Sequence, residues 1–138
     1  MLRFFTENIS FKLTNRRKIK HWISDVVGSE NKIVGDINFI FCSDEYLLGI
    51  NKKYLNHDYF TDVITFDFCK ENKISGDIFI SMDSVRANSV IYKQLFEKEL
   101  YRVMIHGILH LCSYGDSTKS EIALMRSKEN NYLKKMTI

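Results

Sequence analysis

The chain has 138 residues, 45% of them hydrophobic, with a formal net charge of +3. That balance excludes a disordered chain and a miniature fold that needs staples, and the length is that of one domain, 1–138. A charge this small permits nucleic-acid binding without requiring it. The three cysteines, Cys42, Cys69 and Cys112, form no C-x-x-C pair, which argues against a disulfide framework and a zinc ribbon and fits a reducing compartment.

The start, Met1-Leu2-Arg3-Phe4-Phe5-Thr6-Glu7, has an early acid and no long apolar run. Neither a signal peptide nor a membrane span is expected, so a cytoplasmic protein is the default. Residues 2–6 predict a short strand. Residues 14–27 predict a helix opened by Thr14 or Asn15 and closed by Gly28, with Ile19, Trp22, Ile23 and Val26 facing inward. His21 falls on the surface of that helix. The basic run Arg16-Arg17-Lys18-Ile19-Lys20 reads as a solvated face or as a phosphate contact. Residues 33–42 predict a strand, and Ser43-Asp44-Glu45 caps a helix near 44–53.

The β-branched and aromatic segments 62–68 and 76–81 flank the polar turn Lys70 to Lys73 and predict a hairpin. Helices follow near 83–93, 96–112 and 118–135, the last opened by the capping box Thr118-x-x-Glu121. No proline, linker or internal repeat interrupts the chain. The expected class is α+β, a small mixed sheet of about four strands packed with about five helices.

Chemistry concentrates at residues 96–116. His106 and His110 are four apart, so a helix sets both imidazoles on one face, about 6 Å apart at Cβ, where one ion can be chelated. Asp116, past the helix end, supplies a third ligand if Gly115 turns the chain back. Two imidazoles and a carboxylate leave one position open on zinc, the mark of a catalytic site, with bound water brought to a pKa of ~7. The alternative is a pair of histidines that merely pack or face solvent. His57, like His21, has no partner at ligand spacing, and Cys112 faces the core.

Gly107 stands where zinc peptidases of the H-E-x-x-H type carry their glutamate, so that general base is missing. Glycine there lets a neighbouring backbone approach the helix, at ~1 kcal/mol of helix propensity. Glu99 is either an acceptor for a ligand N–H or the partner of Arg102 or Arg3 in a surface salt bridge, with the salt bridge favoured.

His106-Gly107-Ile108-Leu109-His110-Leu111 resembles the YbeY family of metal-dependent endoribonucleases, whose signature H-G-x-L-H-L-x-G-Y-D-H binds zinc through three histidines. Upstream, Asn51-x-x-Tyr54, Asp58 and Thr61-Asp62-Val63-Ile64-Thr65-Phe66 resemble the family's N-x-x-Y-R-x-x-D-x-P-T-D-V-L-S-F block. Gly76-Asp77-Ile78 and Glu99-Leu100 match its G-D-I and E-L elements. The likeness covers roughly residues 44–116 in order and spacing. Here the third metal histidine is Asp116, the turn glycine is Ser113, with Gly115 two residues later available to the turn, and the arginine of Y-R is Leu55. The proline before T-D is Phe60.

The resemblance implies a cytoplasmic, zinc-dependent endoribonuclease with one ion held by His106, His110 and Asp116. It would cut single-stranded RNA in ribosomal RNA maturation and ribosome quality control, with the small ribosomal subunit as partner and zinc-activated water attacking a phosphodiester. Lys52, Lys53, His57 and Arg86 are the candidates to replace the family's arginine, Lys53 and His57 foremost as catalytic groups. RNA would enter along the 52–62 loop, where Tyr59 or Phe60 stacks a base or packs on the sheet, and Asp62 positions water or caps a strand. The competing readings are a metallopeptidase-like hydrolase and a ribosome-associated binding protein whose zinc is not catalytic.

Overall fold

The computed structural model describes residues 1–136. Chain order is β1 (Leu2–Glu7), α1 (Arg16–Ser29), β2 (Ile33–Cys42), α2 (Asp44–Leu55), β3 (Val63–Asp67), β4 (Lys73–Ser81), α3 (Met82–Ile91), α4 (Phe96–Leu111) and α5 (Lys119–Lys134). The expected α+β class and the expected elements are all present. The sheet order is β1-β2-β4-β3. β1 and β4 run parallel to β2, while β3 pairs antiparallel with β4 as the predicted hairpin.

Period-two alternation gives the sheet its two faces. Ile37, Phe39 and Phe41 of β2 lie beside Gly76, Ile78 and Ile80 of β4. These strand side chains join Ile19, Trp22, Ile23 and Val26 of α1 and most of α4 in the main core. α2 serves the opposite face through Leu47, beside Cys42 and Ile64. α4 thus lies between the sheet and α5, with Leu100, Met104, Ile105, Ile108 and Leu109 buried.

Two glycines act otherwise than the sequence suggests. Gly28 does not end α1. It lies inside the helix, and the chain leaves through Glu30 and then Asn31, which takes a left-handed φ of 61°. Asn can supply that conformation because its short polar side chain tolerates it. Gly107 admits a side chain rather than a backbone. A Cβ there would lie 2.7 Å from Cγ2 of Ile78, a fully buried residue of β4. α4 therefore rests directly on β4 at Gly107, which holds His106 and His110 at the rim of the helix–sheet interface.

Candidate metal centre

The last turn of α4 ends in a Schellman motif. The Ser113 N–H donates to the His110 carbonyl at 3.0 Å, and the Tyr114 N–H to the Leu109 carbonyl at 3.0 Å. The motif requires a left-handed residue after the cap, and Ser113 provides it with φ 77°. The turn therefore does not use Gly115, against the sequence expectation. Gly115 has no positive φ; a side chain there would strike the Glu121 carboxylate. Ser113→Gly should raise the unfolding free energy by about 1 kcal/mol by removing the Cβ penalty, read as a shift in urea midpoint at constant slope. A lower midpoint would refute this account of the turn.

The same turn aims Tyr114 back at the metal face, so the His110 Nδ1–H donates to the Tyr114 carbonyl at 2.9 Å. Asp116 follows, held ahead of α5 by the predicted capping box. The Thr118 hydroxyl accepts from the Glu121 N–H, and the Glu121 carboxylate accepts from the N–H groups of Thr118 and Ser117.

His106, His110 and Asp116 bring their ligand atoms within 4.8 Å of one another. Nε2 of His106 lies 2.9 Å from Nε2 of His110, and Oδ2 of Asp116 is 3.3 and 3.2 Å from the two. The outer nitrogens decide what these atoms can be. A carbonyl only accepts, so His110 carries its proton on Nδ1. His106 Nδ1 faces a Glu129 carboxylate oxygen at 2.7 Å and likewise donates. With both rings neutral, bare Nε2 lone pairs would face each other and a carboxylate. Three acceptors with no proton between them fit a divalent cation, and the N₂O donor set suits zinc.

Glu129 is the site residue that sequence reasoning missed. It is 4% exposed and also accepts from Arg102 at 3.0 Å. Burial would push its carboxyl up, yet the bonds from His106 and Arg102 hold it below the usual range. Burial likewise opposes charging His106, but Glu129, Asp116 and Asp62 raise its pKa. A signal was present: Glu129 falls in line with buried Met125 and Tyr132 of α5, a carboxylate at a core position of a helix. Glu99 plays neither expected part. It is 6% exposed and forms no ion pair among the described residues, because Arg102 pairs with Glu129 and Arg3 with Asp36.

Farther out, Glu30 binds three elements together. Its carboxylate accepts from the Tyr114 hydroxyl at 2.6 Å, from the Tyr132 hydroxyl, and from Lys128 Nζ at 3.2 Å. Burial would raise its pKa, but these donors lower it. A depressed carboxyl contributes stability above its unfolded value near 4.5 that is lost as pH falls through the lower folded value. Glu30→Gln should therefore cost about 1–2 kcal/mol at neutral pH, with the gap to wild type closing in acid. Urea unfolding at several pH values would measure it; a pH-independent gap would contradict the ionic account.

A groove of about 300 Å³ runs from the trio to β3, walled by Thr61, Asp62, Val63, Thr65 and Asp67. Asp62 thus borders the trio, while its carbonyl accepts from the Ser81 N–H at 2.9 Å. Lys53 and His57 do not line this groove. Lys53 Nζ sits over the Tyr54 ring, and His57 stacks on Tyr59 with centroids 5.1 Å apart. Lys52 pairs with Asp58, and Arg86 lies over Phe96. Tyr59 and Phe60 are 56% and 62% exposed, so neither ring packs on the sheet. The Asn51 side chain anchors their loop by donating to the Tyr59 carbonyl.

Comparison with known proteins adds an independent line. The profile of the family described as Endoribonuclease YbeY matches residues 4–137. Endoribonuclease YbeY of Flavobacterium psychrophilum is 51% identical over 130 residues, 94% of this chain and 93% of that one. Endoribonuclease YbeY of Phocaeicola vulgatus is 44% identical over 133 residues, 96% of each. The solution structure of TM1509 from Thermotoga maritima superposes with a TM-score of 0.70 at 28% identity, covering 99% of this chain and 89% of that one.

Proposed function

The chain belongs to the YbeY endoribonuclease family, and on that premise we propose that it is a single-domain, zinc-dependent endoribonuclease acting on single-stranded RNA in ribosomal RNA maturation and ribosome quality control. Its partner would be the small ribosomal subunit and its compartment the cytoplasm. No helix among the described residues is long and apolar enough to cross a membrane.

One observation carries the reading. His106, His110 and Asp116 bring their ligand atoms within 4.8 Å of one another while Glu129 and the Tyr114 carbonyl occupy the outer imidazole nitrogens. These three residues would hold the ion, and Glu129 and Tyr114 would fix the ring orientations. When bound, the ion supplies Lewis acidity to a phosphoryl oxygen and lowers the pKa of water into the neutral range. Asp62, at the groove wall, is placed to orient water or a ribose hydroxyl by accepting its proton in a hydrogen bond. The exposed rings of Tyr59 and Phe60 suit stacking on bases that a single strand leaves open.

The test is cleavage by the purified protein of single-stranded RNA, matched duplex RNA and a peptide panel, after chelation and after zinc is returned. Cutting of the single strand alone, restored by zinc, supports the reading. Peptide cleavage would favour the peptidase alternative. Zinc-loaded protein that binds ribosomes yet cuts nothing would favour a binding role. Metal analysis of Asp116→Ala checks the third ligand, since an unchanged zinc content would remove Asp116 from the set.

A further inference from the structure

Two cavities meet at His106 and Asp116. The groove toward β3 has no Lys or Arg in its wall. The second, about 270 Å³, lies among α3, α4 and α5, and shares Asp62, Val63, His106 and Asp116 with the first. A strand of RNA cut at the trio must continue on both sides of the reacting phosphate, and the second cavity offers room for one of them.

Three groups in the second cavity lack an occupation within the protein. Arg126, 60% exposed, has one ion pair among the described residues, a 3.8 Å contact to a Glu129 oxygen that Arg102 already engages. Its guanidinium keeps free donors. Glu99 lines the cavity and has no side-chain hydrogen bond or ion pair among the described residues. Its pKa is raised, by burial first, against the opposing charges of Arg102 and Arg126. Tyr92 ends α3 with its ring exposed on the cavity wall.

We propose that this second cavity is the subsite for one nucleotide beside the scissile phosphate, in which Arg126 binds the flanking phosphate, Tyr92 stacks on the base and Glu99 accepts from the base edge. Guanine fits best, because its N1–H and N2–H groups offer adjacent donors to one carboxylate, while adenine offers one donor group on that edge. Arg126 thereby supplies from α5 a cation that the β3 groove lacks. The proposal rests on the RNA-cleaving reading above.

Fluorescence anisotropy of two short labelled single-stranded RNAs, one of adenosine only and one interrupted by guanosine, would test it with chelator present so that neither is cut. Wild type should prefer the guanosine-containing strand. Arg126→Ala should weaken both about tenfold and lower the slope of log affinity against log salt by about 0.7, and Arg126→Lys should recover the slope. Glu99→Gln should abolish the guanosine preference without changing the slope. Arg126 is exposed and Glu99→Gln is isosteric, so unfolding midpoints should confirm folded variants. Wild-type affinity and slope in Arg126→Ala, or a base preference that survives Glu99→Gln, would overturn the subsite while leaving RNA cleavage standing. A wild-type protein that binds neither strand would overturn the RNA reading and the subsite together.

Discussion

His110→Ala should abolish RNA cleavage by the purified protein, lowering kcat/KM by at least about 10³-fold, because on the proposed reading the site loses the ion that would stabilise charge and activate water. This histidine is the better probe of the pair. Among the described residues its outer nitrogen donates only to the Tyr114 carbonyl, at a partly exposed position where water can replace it. His106→Ala would instead remove a partner of buried Glu129 and confuse lost catalysis with lost stability. The expected His110→Ala protein is therefore folded, poor in zinc and inactive. Steady-state cleavage of a single-stranded RNA, paired with metal analysis and a melting curve, reads all three. Undiminished cleavage would move the chemistry away from α4.

Glu129→Ala should produce the largest combined effect on binding and stability. The carboxylate orients His106 through a 2.7 Å bond and would raise the basicity of the nitrogen proposed to hold the ion. Loss of such a partner weakens metal binding by about 10–100-fold. It also strands Arg102, whose charge is mostly buried, at about 2–4 kcal/mol in the metal-free protein. Zinc competition against a chromophoric chelator measures the first effect, and urea unfolding of metal-free protein the second. Glu129→Gln separates charge from shape. Its amide oxygen still accepts from His106, so zinc affinity should fall less than in Glu129→Ala. Equal losses in the two variants would show that packing, not the hydrogen bond, governs the site.

Much of this architecture was legible in the chain because it depends on local periodicity. Ile19, Trp22, Ile23 and Val26 recur at helical spacing and are all buried. Ile37, Phe39 and Phe41 alternate and face the core. Thr118 and Glu121 form their box wherever the helix is placed. The histidine pair belongs to the same class, since four residues along a helix bring two side chains together whatever surrounds them. Glycine proved a weaker guide. Gly28 and Gly115 were expected to end or turn the chain, but Asn31 and Ser113 take the left-handed positions. Backbone sterics only favour glycine there, and the hydrogen bonds of the Schellman motif hold Ser113 in place despite the cost.

By itself the sequence determined the α+β class, the order of elements and the shared face of His106 and His110, all consequences of 3.6- and 2-residue periods. Only the tertiary structure decided which carboxylate serves the site. Glu99 is about two turns from His106 on the same helix yet has no bond to it, while Glu129 arrives from 23 residues away. It likewise decided that Lys53 and His57 lie outside the groove and that Arg102 and Arg126 line the cavity shared by His106 and Asp116. The physical reason is common to all of these: they depend on how α4, α5 and the sheet pack, and no local period encodes a contact between separate elements.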